Sequence, residues 1–265
     1  MSEFYIVTAC DDNAYNSMLV PFISSLKTLG EWNDKIAVVD LGLSEERKEK
    51  LIKIGIEIIP RANRLKTIMC DRFSSITEYF DGKDVYIISY DADVWFTSNI
   101  NSIKNLLNRD TFISSHDATW QGFLTNCLSK DSNVEYFTSI YERIKDKYDY
   151  VLQVGFVAAH INNFKSFSKL QEFIIDSGLA KDVYGTDTLN LNLYYFLNDS
   201  NYYVCGVEYN CLPEWGIYTE NEKFYIFEGK EVKAIHVTSP HRSHGRFSYR
   251  RFFEEDFLKY HKILN

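Results

Sequence analysis

Asp84-Val85-Tyr86-Ile87-Ile88-Ser89-Tyr90-Asp91-Ala92-Asp93 carries an apolar run of strand length straight into two carboxylates separated by a single methyl group. Val85 to Tyr90 is rich in β-branched and aromatic residues and has no glycine or proline, the make-up of a buried strand. The carboxylates follow where such a strand reaches solvent. Oxygen ligands at that spacing suit a hard divalent cation, and such cations bridge protein carboxylates to substrate phosphates. Acidic residues at strand ends also start turns and cap helices, so the pair takes its meaning from its surroundings.

Outward from this strand the chain alternates between two periodicities. Residues 4–9 read as a strand, followed by a helix with Met18, Leu19, Phe22, Ile23, Leu26 and Leu29 on one face. Pro21 kinks that helix or marks a late start, and Gly30 stops it. Residues 35–41 are a second strand. Ser44 caps a charged helix that Gly55 ends, and Ile56 to Ile59 is a third strand closed by Pro60. Helical spacing returns near 70–80. Downstream, strands are expected at 111–115, 150–159, 202–207, 224–228 and 232–237, and helices at 133–147, 164–177, 187–197 and 249–264. Strand–helix alternation implies an α/β fold with a central, mostly parallel, twisted sheet and helices on both faces. Ligands on such sheets bind beyond the carboxyl ends of the strands, where Thr8, Ala9, Asp40 and Asp91 fall. The first strand-to-helix turn has no Gly-x-Gly-x-x-Gly, which disfavours a dehydrogenase-type dinucleotide site and a P-loop. No repeat or linker interrupts residues 1–265, which read as one continuous domain.

Bulk properties narrow the field. A net charge of −8 argues against binding a nucleic-acid backbone. No window is long and apolar enough for a transmembrane helix, and the first residues lack the pattern of a signal peptide. Cys10, Cys70, Cys127, Cys205 and Cys211 are odd in number and form no Cys-x-x-Cys pair, so they read as reduced thiols of a cytoplasmic protein.

A second signal is Lys233-Ala234-Ile235-His236-Val237, an apolar strand ending on a histidine. Two carboxylates and an imidazole from separate strand ends make a metal-ligand set. Arg242 lies six residues on, a planar cation suited to phosphate oxygens, with His241 and His244 beside it.

Seven blocks in register resemble glycosyltransferase family 8, of the GT-A fold, and together they span most of the chain. Ile6 to Asn13 resembles the family's first strand and nucleotide loop, and Val38 to Ser44 its second strand and turn. Arg72 stands where the family has a basic residue, and Asp91-Ala92-Asp93 matches its Asp-x-Asp. Gln153 to Val157, running on to Asn162, resembles its Asn-x-Gly segment. Asp187-Thr188-Leu189-Asn190 resembles the end of Asp-Gln-Asp-x-Leu-Asn, and His236-x-x-Ser239-x-x-Arg242 resembles His-x-x-Gly-x-x-Lys. This chain departs from the pattern at Gln153 for Asn, at Gly185 and Thr186 for Asp and Gln, at Ser239 for Gly and at Arg242 for Lys.

The resemblance implies a nucleotide-binding half (1–110) and an acceptor half (111–265) that carries the metal and phosphate loop. It implies that Thr8, Ala9, Asp11 and Asn13 line the base and ribose pocket, with Tyr15 stacking on the base. Arg72 would touch phosphate or ribose, and Ala92 would lie against the donor. Asp91, Asp93 and His236 would hold Mn2+ or Mg2+, and Arg242 and His241 would share the charge of the diphosphate. Gln153 and Asp187 would face the sugar at its anomeric carbon. The implied activity is retaining transfer of a hexose from a UDP-sugar to a glycan, lipid-linked or protein acceptor. Asp117 and Glu214 are further carboxylates, of structural or acceptor-contacting use. Two other readings stand beside this one: a nucleotide-sugar binder without catalysis, and a sugar-nucleotide pyrophosphorylase. The latter wants a Gly-rich basic loop after the first strand, and residues 9–15 have neither Gly nor Lys. Phe247 to Phe253 mixes rings and cations, which suits a docking helix with a basic edge or a weak membrane-surface contact at the cytoplasmic face.

Overall fold

The computed structural model describes residues 2–126, 133–147, 150–212, 216–221, 223–226, 229–237 and 263–264. In chain order the elements are β1 (Glu3–Cys10), α1 (Asp12–Ala14), a π-helical turn (Tyr15–Leu19), α2 (Val20–Thr28), β2 (Lys35–Asp40), α3 (Glu45–Lys53) and β3 (Glu57–Ile59). There follow α4 (Ile68–Tyr79), β4 (Val85–Tyr90), β5 (Val94–Phe96), a 3-10 turn (Asn101–Leu106), β6 (Phe112–Thr119), α5 (Trp120–Asn126) and α6 (Val134–Ile144). The rest are β7 (Tyr150–His160), α7 (Ile161–Asp176), α8 (Thr186–Leu197), β8 (Tyr202–Cys205), β9 (Tyr218–Glu220), β10 (Lys223–Ile226), β11 (Lys230–Glu231) and β12 (Ala234–His236).

The main sheet is mixed and mostly parallel, in the order β3-β2-β1-β4-β7-β6-β8. β1 pairs parallel to β2, and β6 parallel to β8, while β6 and β7 run antiparallel with two register shifts. This is the expected fold class. β12 pairs antiparallel with β5, and β9, β10 and β11 form a small sheet of their own.

The chain divides into two compact units that interleave along the sequence. One takes in Ile59–Ile88 and Leu107–Cys205. Its core joins Phe73, Phe112, Phe164, Phe167 and Tyr194 in ring-to-ring contacts, with a second cluster around Trp120, Phe137, Val151 and Leu189. The fully buried Asp71 ties the loop before α4, accepting from Arg61 Nε and from the backbone N–H groups of Asn63, Arg64 and Leu65. The other unit takes in Phe4–Ile58, Ser89–Leu106 and the described residues from Gly206 on. Ile6, Val7, Val38, Val39, Phe22 and Leu26 form its buried centre. Trp95, Cys211, Phe224, Ile226, Val232, Ile235 and Val237 form a smaller cluster there.

Local rules account for most boundaries. Pro21 is the second residue of α2, which continues the π-helical turn Tyr15–Leu19 without a break, so the helical run begins upstream of the proline. Gly55 takes φ +82° after α3, a conformation that suits glycine. Ser44 holds the N-cap position of α3, but its side chain makes no capping bond; its own N–H is taken by Asp12 Oδ1 at 2.9 Å. The 249–264 helix expected from the sequence lies outside the described residues, except for Ile263 and Leu264.

Candidate active site

The acidic pair forms the turn between β4 and β5. Tyr90, at the end of β4, is held by its hydroxyl donating to the Tyr209 carbonyl at 3.0 Å. Val94 N–H closes the turn on the Asp91 carbonyl at 3.2 Å. β5 then pairs with β12 in the register His236↔Val94, Ile235↔Trp95 and Ala234↔Phe96, and Val237 N–H donates to the Asp93 carbonyl at 3.0 Å. This short ladder sets His236 beside the carboxylates. Nε2 of His236 lies 3.2 Å from Asp93 Oδ1 and 3.7 Å from Asp91 Oδ2. One ligand atom from each of the three residues lies within 4.8 Å of the others.

Asp93 and His236 are buried and Asp91 is half-buried, so two carboxylates meet at a site partly withdrawn from water. A cation there would relieve their mutual repulsion. The donor set, two carboxylate oxygens with one imidazole nitrogen, fits a divalent cation. Adjacent ligands of an octahedral ion with bonds of about 2.1 Å lie about 3.0 Å apart, close to the His236–Asp93 separation.

The residues expected from the sequence to line a nucleotide pocket lie in the same unit. Thr8, at the end of β1, is buried, and its hydroxyl has no partner among the described residues. Ala9 is half-buried. Asp11 caps α1, accepting from Ala14 N–H at 2.9 Å, and Asn13 Nδ2 lies 3.4 Å from its other oxygen. Tyr15 differs from what stacking on a base requires. Its ring is 1% exposed, the Arg47 guanidinium covers it at 4.6 Å, and its hydroxyl donates to the Leu264 carbonyl at 3.1 Å. As it stands the ring presents no free face. Arg47 also donates to the Asp12 carbonyl and pairs with the Asp12 carboxylate at 3.0 Å.

The other unit holds Arg72, Gln153 and Asp187, all buried. Arg72 donates to the Val154 carbonyl at 3.2 Å, and its Nη2 lies 3.7 Å from Asp187 Oδ2. Asp187 sits in the first turn of α8, with Oδ1 accepting from Thr188 N–H at 2.9 Å. Gln153 folds its Oε1 onto Gly155 N–H at 3.2 Å. Asn192 fixes α8 against β7 by bonding both the N–H and the carbonyl of Leu152, at 3.0 and 3.1 Å. His241, Arg242, Ser239, Glu214 and the side chain of Asp117 lie outside the described residues.

Solved structures supply the comparison. A crystal structure of galactosyltransferase LgtC in complex with donor and acceptor sugar analogues matches over 95% of both chains, with TM-score 0.63 and 16% identity. The apo structure of the bifunctional glycosyltransferase WbbM matches 98% of this chain and 49% of that one, with TM-score 0.61 and 16% identity. The chain has the GT-A fold. No protein-family model and no curated protein sequence matches it.

Two features of this GT-A chain escaped the sequence reading. β5 is only three residues long, too short to show a period, yet it is the strand that seats His236. Arg47 reads in sequence as one more charge on a solvated helix; its place over Tyr15 comes from tertiary packing.

Proposed function

We propose that the protein is a divalent-metal-dependent, retaining glycosyltransferase that moves a hexose from a UDP-sugar to a glycan, lipid-linked or protein acceptor. The observation that carries this is the convergence of Asp91, Asp93 and His236 on a GT-A fold. Bound there, Mn2+ or Mg2+ would supply Lewis-acid stabilisation of the departing diphosphate. Asp91, Asp93 and His236 hold that charge in place. Thr8 offers its unbonded hydroxyl, with Ala9, Asp11 and Asn13, to the nucleoside. In this proposal Arg72 serves the diphosphate, and Asp187 and Gln153 serve the sugar, where positive character develops as the glycosyl–phosphate bond breaks. His241 and Arg242 take the phosphate role that the family resemblance gives them. A cytoplasmic location fits: among the described residues no helix is long and apolar enough to cross a membrane.

The experiment is a thermal-shift screen of UDP-, GDP- and CDP-sugars with and without Mn2+, followed by turnover measurements on wild type and Asp93→Asn. Asp93→Asn is expected to lose transfer and Mn2+-dependent UDP binding. Undiminished transfer by that variant in EDTA refutes the proposal.

One observation favours a second reading, a nucleotide-sugar binder without catalysis. Thr186, at the position of the family's Gln, is fully buried with its hydroxyl consumed: it accepts from Asn133 Nδ2 at 2.7 Å and donates to the Lys181 carbonyl at 2.8 Å. Tight UDP binding with neither transfer nor hydrolysis of any donor decides for this reading.

A further inference from the structure

We infer that Asn210 is a positioning residue for the metal site: its amide oxygen takes the Nδ1–H of His236 through one buried water when Nε2 holds the cation. The inference rests on the metal reading proposed above. Asn210 is fully buried, and neither its amide oxygen nor its amide nitrogen has a partner among the described residues. A buried polar group left without a bond costs about 1–3 kcal/mol, and native chains rarely keep one without a use.

Its position supplies the use. The Tyr209 carbonyl, one residue before, accepts the Tyr90 hydroxyl, and Tyr90 leads directly into Asp91. The Cys211 carbonyl, one residue after, accepts His236 N–H at 2.9 Å, and Cys211 N–H donates to the Ala234 carbonyl at 2.8 Å. Asn210 is therefore pinned between the two stretches that deliver the ligands. Cys211 packs with Trp95, Ile235 and Val237. The parallel bridge Cys211↔Ile235 sets Asn210 beside Ala234, two residues before His236 on β12. Ala234, its neighbour there, contributes only a methyl group.

The chemistry completes the case. Nε2 is the His236 nitrogen turned toward both carboxylates. A neutral imidazole that ligates through Nε2 carries its proton on Nδ1. Metal-bound histidines pass that proton to an acceptor, which fixes the ring and strengthens the ligand. Asn210 Oδ1 is a buried acceptor beside β12, with no hydrogen bond among the described residues.

The test is Mn2+ titration of wild type, Asn210→Leu, Asn210→Asp and Asp93→Asn, read by the spin-resonance signal of free Mn2+, with melting in EDTA alongside. Asn210→Leu is expected to bind Mn2+ about tenfold more weakly or worse. In EDTA it should melt at or above the wild-type temperature, because an apolar group of like size replaces an unbonded amide. Asn210→Asp keeps an acceptor and should bind Mn2+ at least as tightly as wild type. Wild-type affinity in Asn210→Leu overturns the inference, and so does weakened binding in Asn210→Asp, which decides alone if the leucine variant does not fold. Asp93→Asn shows that the binding read is at this site. If wild type itself takes up no Mn2+, the metal reading fails and the inference falls with it; a wild type that binds, with an Asn210→Leu equal to it, sinks the inference alone.

Discussion

Asp187→Asn removes one charge from a buried pair and leaves the size and shape of the side chain almost unchanged. Arg72 Nη2 and Asp187 Oδ2 are 3.7 Å apart, with side chains 8% and 6% exposed. Unit charges at that distance attract by about 4 kcal/mol at an effective dielectric of about 20. The amide can keep the bond from Thr188 N–H, and Arg72 keeps the Val154 carbonyl at 3.2 Å, so part of the loss is recovered. A net cost of about 3 kcal/mol remains, within the range for a buried charge deprived of its partner. For a chain of this length each kcal/mol moves the melting temperature by roughly 2–4 °C, so a drop of about 6–12 °C is expected. Scanning calorimetry and urea unfolding in EDTA measure it without interference from ligands. The double change Arg72→Met with Asp187→Leu should regain most of that stability, since apolar side chains of similar volume replace a buried ion pair at little cost. That variant should still have no sugar-transfer activity. A single variant that melts within about 1 °C of wild type refutes the reasoning, because the pair would then contribute nothing the amide cannot.

Three further outcomes follow from the site and its frame. Mn2+ at a hundred times its dissociation constant should stabilise the wild type by about 2.7 kcal/mol, reversed by EDTA and absent in Asp93→Asn; a metal-independent melting curve contradicts this. Burial pushes the Cys10 thiol up to about 12 and raises Cys70 as well, so alkylation of both in the native protein should stay slow up to about pH 9, and rapid labelling located by mass spectrometry contradicts it. Asp84 is held below the usual carboxylate range, first by its bond with His160 and then by Ser2. A carboxyl lowered on folding stabilises above its unfolded value, and that contribution is lost as pH falls through the folded one. The stability gap between wild type and Asp84→Asn should therefore be open at pH 7 and shrink below about pH 4, as urea unfolding at both pH values would show.

The architecture was largely legible from sequence because its elements are long enough to show a period. Val85 to Tyr90, Ile161 to Asp176 and the charged helix after Ser44 each announce themselves within a dozen residues. The acidic pair and His236 were legible as chemistry, but not the ladder between them: β5 pairs with a strand some 140 residues later, and no local pattern reports such a partner. Tyr15 shows the converse case. The family resemblance implied a ring stacked on a base, whereas in this structure Arg47 and Leu264 cover it. Gln153 and Asp187 were found as residue types; that one bonds its own strand and the other pairs with Arg72 is set by packing between elements far apart in sequence.

The pairing of β5 with β12 makes any ion held at its end a removable staple across the polypeptide. Asp93 and His236 are 143 residues apart by subtraction of their numbers. Tying together a loop of about 100 residues takes some 4–5 kcal/mol of freedom from the unfolded chain in the loop-closure picture. The same span fixes an order on the ribosome: until His236 has emerged, a nascent chain has two carboxylates and no third ligand, so a cation held by all three could bind only after that.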